Sequence, residues 1–341
     1  MSKAIAIMEA RQVDALPDGD GWQYEPKWDG FRCLAVRNGD RVDLQGKSGK
    51  SLARFFPEVV TALAALKPPR FTLDGELVIP RGRVLDFDAL QMRLHPSASR
   101  IARLARETPA ILVVFDLLRT ADAGDLTNRT LGVRRKALES FVDKLGTAPV
   151  LRLSPATNRR AQAARWLSRA GEGELDGVVA KRLDEPYRGG ERAMLKIKCL
   201  RTADCVVGGF RYAGGERGEV GSLLLGLYNH QGQLDHVGFT SGIARNKRAA
   251  LTTKLERLRG GPGFTGKAPG GPSRWSTERS AQWEPLKPRL VAEVQYDHVT
   301  GDRFRHGTGF LRWRPDKPPP QCTLDQLQSE ARPSLLLKGH G

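Results

Sequence analysis

Lys27 stands in the octet Glu25-Pro26-Lys27-Trp28-Asp29-Gly30-Phe31-Arg32. Within six residues an amine is followed by a carboxylate, a glycine that lets the backbone approach a ligand, and a guanidinium. A lysine amine is a weak nucleophile near neutrality because its ordinary pKa is about 10.4, and nearby cations or burial are needed to free its lone pair. Leu195-Lys196-Ile197-Lys198 offers such cations. On a strand, residues two apart face the same side about 7 Å apart. Lys196 and Lys198 can therefore flank one phosphate while Leu195 and Ile197 face a core. The same pair is expected to depress the pKa of a neighbouring lysine such as Lys27.

Strands and helices must alternate to position these groups. Gly30–Arg37 reads as a strand, Asn38-Gly39-Asp40 as a hairpin turn and Arg41–Gln45 as the returning strand. Residues 57–66 have helical spacing, and 71–73 and 76–80 read as separate strand pieces around Asp74-Gly75. The apolar run 110–118 signals a buried strand. Helices are predicted over 131–145 and 158–170, and strands over 177–181 and 194–198. Beyond Lys198 short strands follow at 205–212, 222–228 and 234–240, then a helix at 246–259. A Gly/Pro-rich loop spans 260–272, and strands return at 290–299 and 309–313. Five short strands with one helix after the third suit an OB-type barrel. The predicted boundaries are 1–199, 200–320 and a C-terminal segment 321–341, with the last order expected at Pro318-Pro319-Pro320.

The chain has 341 residues, of which 40 % are hydrophobic, and a net charge of +17 from 55 Lys+Arg against 38 Asp+Glu. That excess, spread over both halves, favours a polyanionic partner, nucleic acid before membrane. No apolar run approaches a membrane span, and the first residues lack the long apolar core of a signal peptide, so a cytoplasmic, nucleoid-associated protein is expected. The four cysteines have no C-x-x-C spacing and suggest neither zinc nor disulfides.

The Lys-x-Asp-Gly-x-Arg pattern resembles the first motif of the covalent nucleotidyltransferases: DNA ligases, RNA ligases and mRNA capping enzymes. Six further segments follow in the order of the ATP-dependent DNA ligases. Gln45-Gly46-Lys47-Ser48-Gly49 stands where that family has Ser-Arg-x-Gly, with Lys47 offering a point charge instead of a guanidinium fork. Leu73-Asp74-Gly75-Glu76-Leu77-Val78 matches the Asp-Gly-Glu motif, and Val114-Phe115-Asp116-Leu117-Leu118 the segment whose aromatic stacks on adenine. Leu175-Asp176-Gly177-Val178-Val179-Ala180-Lys181 matches Glu-Gly-hydrophobic-hydrophobic-x-Lys with Asp176 in place of glutamate and Glu174 as a fallback. The lysine pair is next, and Arg314-Pro315-Asp316-Lys317 resembles the closing Arg-x-Asp-Lys.

The resemblance is closest to small bacterial ATP-dependent ligases and to the ligase module of bacterial end-joining enzymes. It implies an α+β chain: an ATP-grasp-like nucleotidyltransferase domain followed by an OB-fold β-barrel. It further implies that Lys27 carries AMP from ATP to the 5′-phosphate of nicked duplex DNA, and that the 3′-hydroxyl then displaces AMP. Lys27, Asp29, Lys196 and Lys198 would be catalytic. Glu25, Arg32, Lys47, Glu76, Phe115, Lys196, Lys198, Arg314 and Lys317 would bind nucleotide, and Glu76 and Asp176 would hold magnesium or manganese. A monomer acting in DNA repair is expected. Guanylyltransferase, RNA ligase and a catalytically inert binding module remain the alternatives.

Overall fold

A computed structural model describes residues 5–327 except 83, 147, 171–174, 215–217 and 271–281. Two compact units divide between Cys199 and Leu200.

The first unit contains two large sheets. One has the order β1-β9-β8-β2, built from β1 (Ala10–Gln12), β2 (Trp22–Trp28), β8 (Leu175–Arg182) and β9 (Met194–Lys198). β8 runs antiparallel to both β2 and β9, and β1 joins β9 in parallel. The other sheet has the order β7-β6-β5-β3-β4, from β3 (Phe31–Asn38), β4 (Arg41–Gly46), β5 (Arg70–Val78), β6 (Ile111–Thr120) and β7 (Leu151–Leu153). Alternation decides the faces. Tyr24 and Trp28 of β2, Val178 and Ala180 of β8, and Leu195 and Ile197 of β9 share a buried cluster with Val78, Val113 and Phe115 of the second sheet. Glu25, Lys27, Lys196 and Lys198, alternating with them, point the opposite way. Another cluster joins β3, β5 and β6 to Val59 and Leu63 of the helix Pro57–Ala64 and to Leu138 and Phe141 of the helix Leu131–Leu145.

β5 is continuous through Asp74 and Gly75, where two strand pieces are predicted from the sequence. A register slip against β6 absorbs the irregularity, and Asp74 is fully buried. β2 and the helices Phe87–Arg93 and Ala98–Glu107 have no counterpart among the predicted elements.

The second unit has a sheet ordered β12-β11-β10-β13-β14, from β10 (Arg201–Tyr212), β11 (Val220–Tyr228), β12 (Leu234–Thr240), β13 (Val291–Tyr296) and β14 (Gly309–Trp313). The helix Arg248–Glu256 follows β12, as an OB fold requires. The two outer strands meet through a parallel bridge between Thr240 and Thr308, with Thr308 N–H donating to Phe239 O at 3.0 Å. That contact turns the sheet back on itself. Order also continues past the three prolines. Cys322 and Leu327 are buried in this core, and Gln326 bonds both backbone groups of Asp204.

Candidate active site

Strand register assembles the polar side chains. Lys27 of β2 lies opposite Gly177 of β8, which lies opposite Lys198 of β9; Glu25, Val179 and Lys196 form the next row. Side chains in such rows share one face. Gly177 has no side chain to separate Lys27 from Lys198. Its φ is +147°, and a Cβ there would sit 2.0 Å from Ile197 O, so no other residue fits. A bulge between Leu175 and Gly177 turns Asp176 toward the same face. Its Oδ2 lies 2.6 Å from Lys27 Nζ and 3.7 Å from Lys198 Nζ.

The second sheet supplies the other wall. Arg32 of β3 pairs in register with Glu76 of β5, and its Nε and Nη2 grip Asp74 at 2.6 and 2.7 Å. Phe115 on β6 has Arg32 Cζ and Lys181 Nζ each 4.5 Å from its ring centroid. Lys181 makes a buried 2.7 Å ion pair with Glu25, whose other oxygen accepts from Gln23. Glu25, Lys27, Arg32, Glu76, Phe115 and Lys181 line a cavity of about 550 Å³ together with Lys47, Lys196, Arg192 and the segment Ile7–Gln12. Lys47 is exposed and lies 3.2 Å from Glu9. Asp29 is buried at the turn between β2 and β3, and its charge reaches Lys27.

Two expectations are corrected. Burial pulls the Lys27 pKa down, but Asp176, through charge and hydrogen bond and with help from Glu76 and Asp29, outweighs it and leaves the pKa raised. Lys196 is the lysine whose pKa falls, through burial and then the charges of Lys198, Lys27 and Lys47. From the sequence Asp176 is expected to hold a metal, and its pairing with Lys27 across the bulge is not foreseen. Secondly, Gly30 admits a strand, not a ligand. A Cβ there would be 2.2 Å from Leu77 O of β5.

Glu76 is partly buried, and burial, opposed by Arg32 and Lys27, lifts its pKa to about 7. Glu174 lies outside the described residues. Among the described residues no cluster of three or more His, Cys, Asp or Glu side chains could hold a metal ion. Arg314 and Lys317 belong to the second unit. Arg314 donates to both oxygens of Asp204 at 2.9 Å and to Asp316 at 2.8 Å. The loop that follows β14 is thus pinned to β10 by this arginine.

Residues 7–198 match the profile of the ATP dependent DNA ligase domain, and residues 216–317 that of the ATP dependent DNA ligase C terminal region. The chain belongs to the ATP-dependent DNA ligases. It is 45 % identical over 335 residues to DNA ligase C1 of Mycolicibacterium smegmatis, covering 95 % of this chain and 94 % of that one. It is 31 % identical over 330 residues to the multifunctional non-homologous end joining protein LigD of Pseudomonas aeruginosa, covering 95 % of this chain but 37 % of LigD. A solved Lig E DNA ligase shares the fold, with a TM-score of 0.58 at 17 % identity over 92 % of this chain and all of that one.

The ligase fold brings together Glu25, Lys27, Arg32, Lys47, Glu76, Phe115 and Lys196 around one cavity, with Asp176 and Lys198 against Lys27. Three further residues had no role assigned from the sequence: Lys181, which lines the cavity and closes a quoted motif, and Asp74 and Tyr187, which lie behind Arg32. Lys181 had a usable signal, since it continues the alternation Gly177, Val179, Lys181 on the pocket face. Tyr187 carried none, because it comes from the loop before β9.

Proposed function

We propose that Lys27 is the covalent carrier in this ATP-dependent DNA ligase. Supporting the reading is the placement of Lys27 in the cavity, hydrogen-bonded to Asp176 and level with Lys198. Lys27 first gives up a proton, and Asp176 Oδ2 at 2.6 Å is placed to take it. The Lys27 Nζ–phosphorus bond then forms at the ATP α-phosphate as the bond to pyrophosphate breaks. AMP next passes to the 5′-phosphate of a DNA nick, freeing Lys27, and the 3′-hydroxyl displaces AMP to form the phosphodiester. Arg32 binds the nucleotide in the first step and touches the nick phosphate in the second, and Asp29 orients the hydroxyl. Glu25 meets adenine through its backbone, because its side chain is committed to Lys181. Phe115 underlies the base, and Lys47, Lys196 and Lys198 offset phosphate charge, the main requirement of phosphoryl transfer.

Magnesium or manganese fits the donor set. Two carboxylates, Glu76 and Asp176, flank Lys27, and magnesium commonly takes one or two carboxylates together with substrate phosphates. When bound it supplies charge neutralisation to the triphosphate. Arg314 and Lys317 serve the departing pyrophosphate. The net charge of +17 suits duplex DNA as substrate, and the LigD likeness supports a role in break repair for a chain acting as a monomer. Incubation with α-labelled ATP or GTP tests the reading. Label from ATP, lost in Lys27→Ala, is expected. Label from GTP, or full labelling of Lys27→Ala, would overturn it.

A further inference from the structure

A closed ring of hydrogen bonds lies behind Arg32. Met8 N–H donates to Tyr187 Oη at 2.9 Å. The tyrosine hydroxyl donates to Asp74 Oδ2 at 2.7 Å. Arg32 grips Asp74 through Nε and Nη2, and its Nη2 also reaches Met8 O at 3.4 Å. Asp74, Tyr187 and Met8 are all buried. Three separate pieces of chain therefore meet here: the segment Ile7–Gln12 that walls the cavity, β5, and the loop before β9.

The chemistry of the ring is directional. A carboxylate accepts only, so the tyrosine must supply a proton. Burial first, and then the Asp74 charge, raise the Tyr187 pKa, so the phenol stays protonated. Its one proton goes to Asp74 and a lone pair to Met8 N–H. Arg32 Nη1 takes no part in the ring. The plane of the guanidinium, stacked 4.5 Å above Phe115, is thus set by Asp74, and Asp74 is held in turn by Tyr187. A phenylalanine or leucine at Tyr187 could not complete the ring.

We propose that Tyr187 is a positioning residue for the ligation chemistry: acting through Asp74, it fixes the Arg32 guanidinium at the nucleotide cavity and latches the Ile7–Gln12 wall to it. Tyr187 touches neither nucleotide nor DNA. Its effect reaches the reaction only through Arg32, and the proposal rests on the reading of Lys27 as the AMP carrier.

The test is a double-mutant cycle in the full chain, with single-turnover labelling of Lys27 by α-labelled ATP as readout. Tyr187→Phe keeps the ring's volume and removes only the hydroxyl. It should slow labelling on the order of tenfold, which is about 1.4 kcal/mol. Arg32→Lys should slow it by itself. In the Arg32→Lys background Tyr187→Phe should add less than a twofold loss, because the group it positions is gone. Thermal unfolding of each protein reports folding separately, and Asp74→Asn replaces Tyr187→Phe if the latter does not fold. Equal fold losses in both backgrounds would overturn the proposal and leave Tyr187 a purely structural residue. Failure of the parent chain to label at Lys27 would instead overturn the carrier assignment.

Discussion

The Glu25–Lys181 pair should behave as a buried charge pair whose halves cannot be removed singly. Both side chains are less than 5 % exposed and their charged atoms lie 2.7 Å apart. Lys181→Met leaves the Glu25 carboxylate with only Gln23 as a side-chain hydrogen-bond partner, and also removes the cation over Phe115. Breaking such a pair from one side costs about 3–5 kcal/mol. For a domain of this size each kcal/mol moves the midpoint by about 2–4 °C, so calorimetry should show the first unit melting about 6–20 °C lower. Glu25→Gln should cost a similar amount, because Lys181 is then left charged.

The double variant Glu25→Leu with Lys181→Met removes both charges together. It should return to within about 1 kcal/mol of the parent, since the desolvation penalty disappears with the attraction. Both side chains line the cavity, so the restored protein should still need more ATP for half-maximal labelling. As a control, Glu9→Gln breaks an exposed pair with Lys47 and should cost under about 1 kcal/mol. If Lys181→Met loses less than about 1 kcal/mol, or the double variant is less stable than either single one, the reasoning fails.

Lys317→Ala should abolish self-labelling by ATP yet still seal a pre-adenylated nick; equal loss of both activities would show a role in folding or DNA binding. Glu76→Gln should gain stability over the parent as pH rises. The parent's carboxyl has its pKa raised from 4.5 to about 7, so its favourable protonated state is fully present below 4.5 and lost on passing 7. The difference, on the order of 3 kcal/mol, should appear across that interval in urea melts and be absent near pH 4. Nick affinity should fall steeply with salt. Replacing the exposed Arg245 and Lys247 by glutamine should lower the slope of log affinity against log salt by about 0.9 for each phosphate that is no longer neutralised; an unchanged slope would place neither residue on DNA.

The strands were most legible where alternation and length agree. β9 and the helix Leu131–Leu145 have their predicted bounds, and the same-face lysines of β9 follow from period two alone. β2 was hidden because Pro26 and the charged Glu25 and Lys27 interrupt the apolar signal; tertiary pairing with β8 supplies what propensity does not. Asp74-Gly75 looked like a turn because those residues commonly make one, yet the half-buried Arg32 partner stabilises a buried aspartate inside a strand. The raised pKa of Lys27 depends on a bulge at Asp176, and register slips leave little trace in composition. The packing of Cys322 and Leu327 beyond the prolines was missed because proline ends regular structure without ending burial.

Four cations at the cavity are paired with carboxylates before any nucleotide arrives. Lys27 faces Asp176, Lys181 faces Glu25, Arg32 faces Asp74 and Lys47 faces Glu9. This arrangement answers a difficulty of phosphate sites, because a cluster of buried bare cations would be costly to fold. The pairs differ in how readily they can be exchanged. Asp74 and Glu25 are held by second partners, Tyr187 and Gln23, and so stay with their cations. Asp176 is shared between Lys27 and Lys198, so an incoming phosphate oxygen meets amines whose present partner is held by neither of them alone. Lys27 is already largely shielded from water in the folded chain, its side chain 24 % exposed. Structural and exchangeable ion pairs thus sit side by side on one sheet face. The bulge that turns Asp176 inward separates the two kinds, because it brings a carboxylate to Lys27 from a strand position that regular alternation would have turned away.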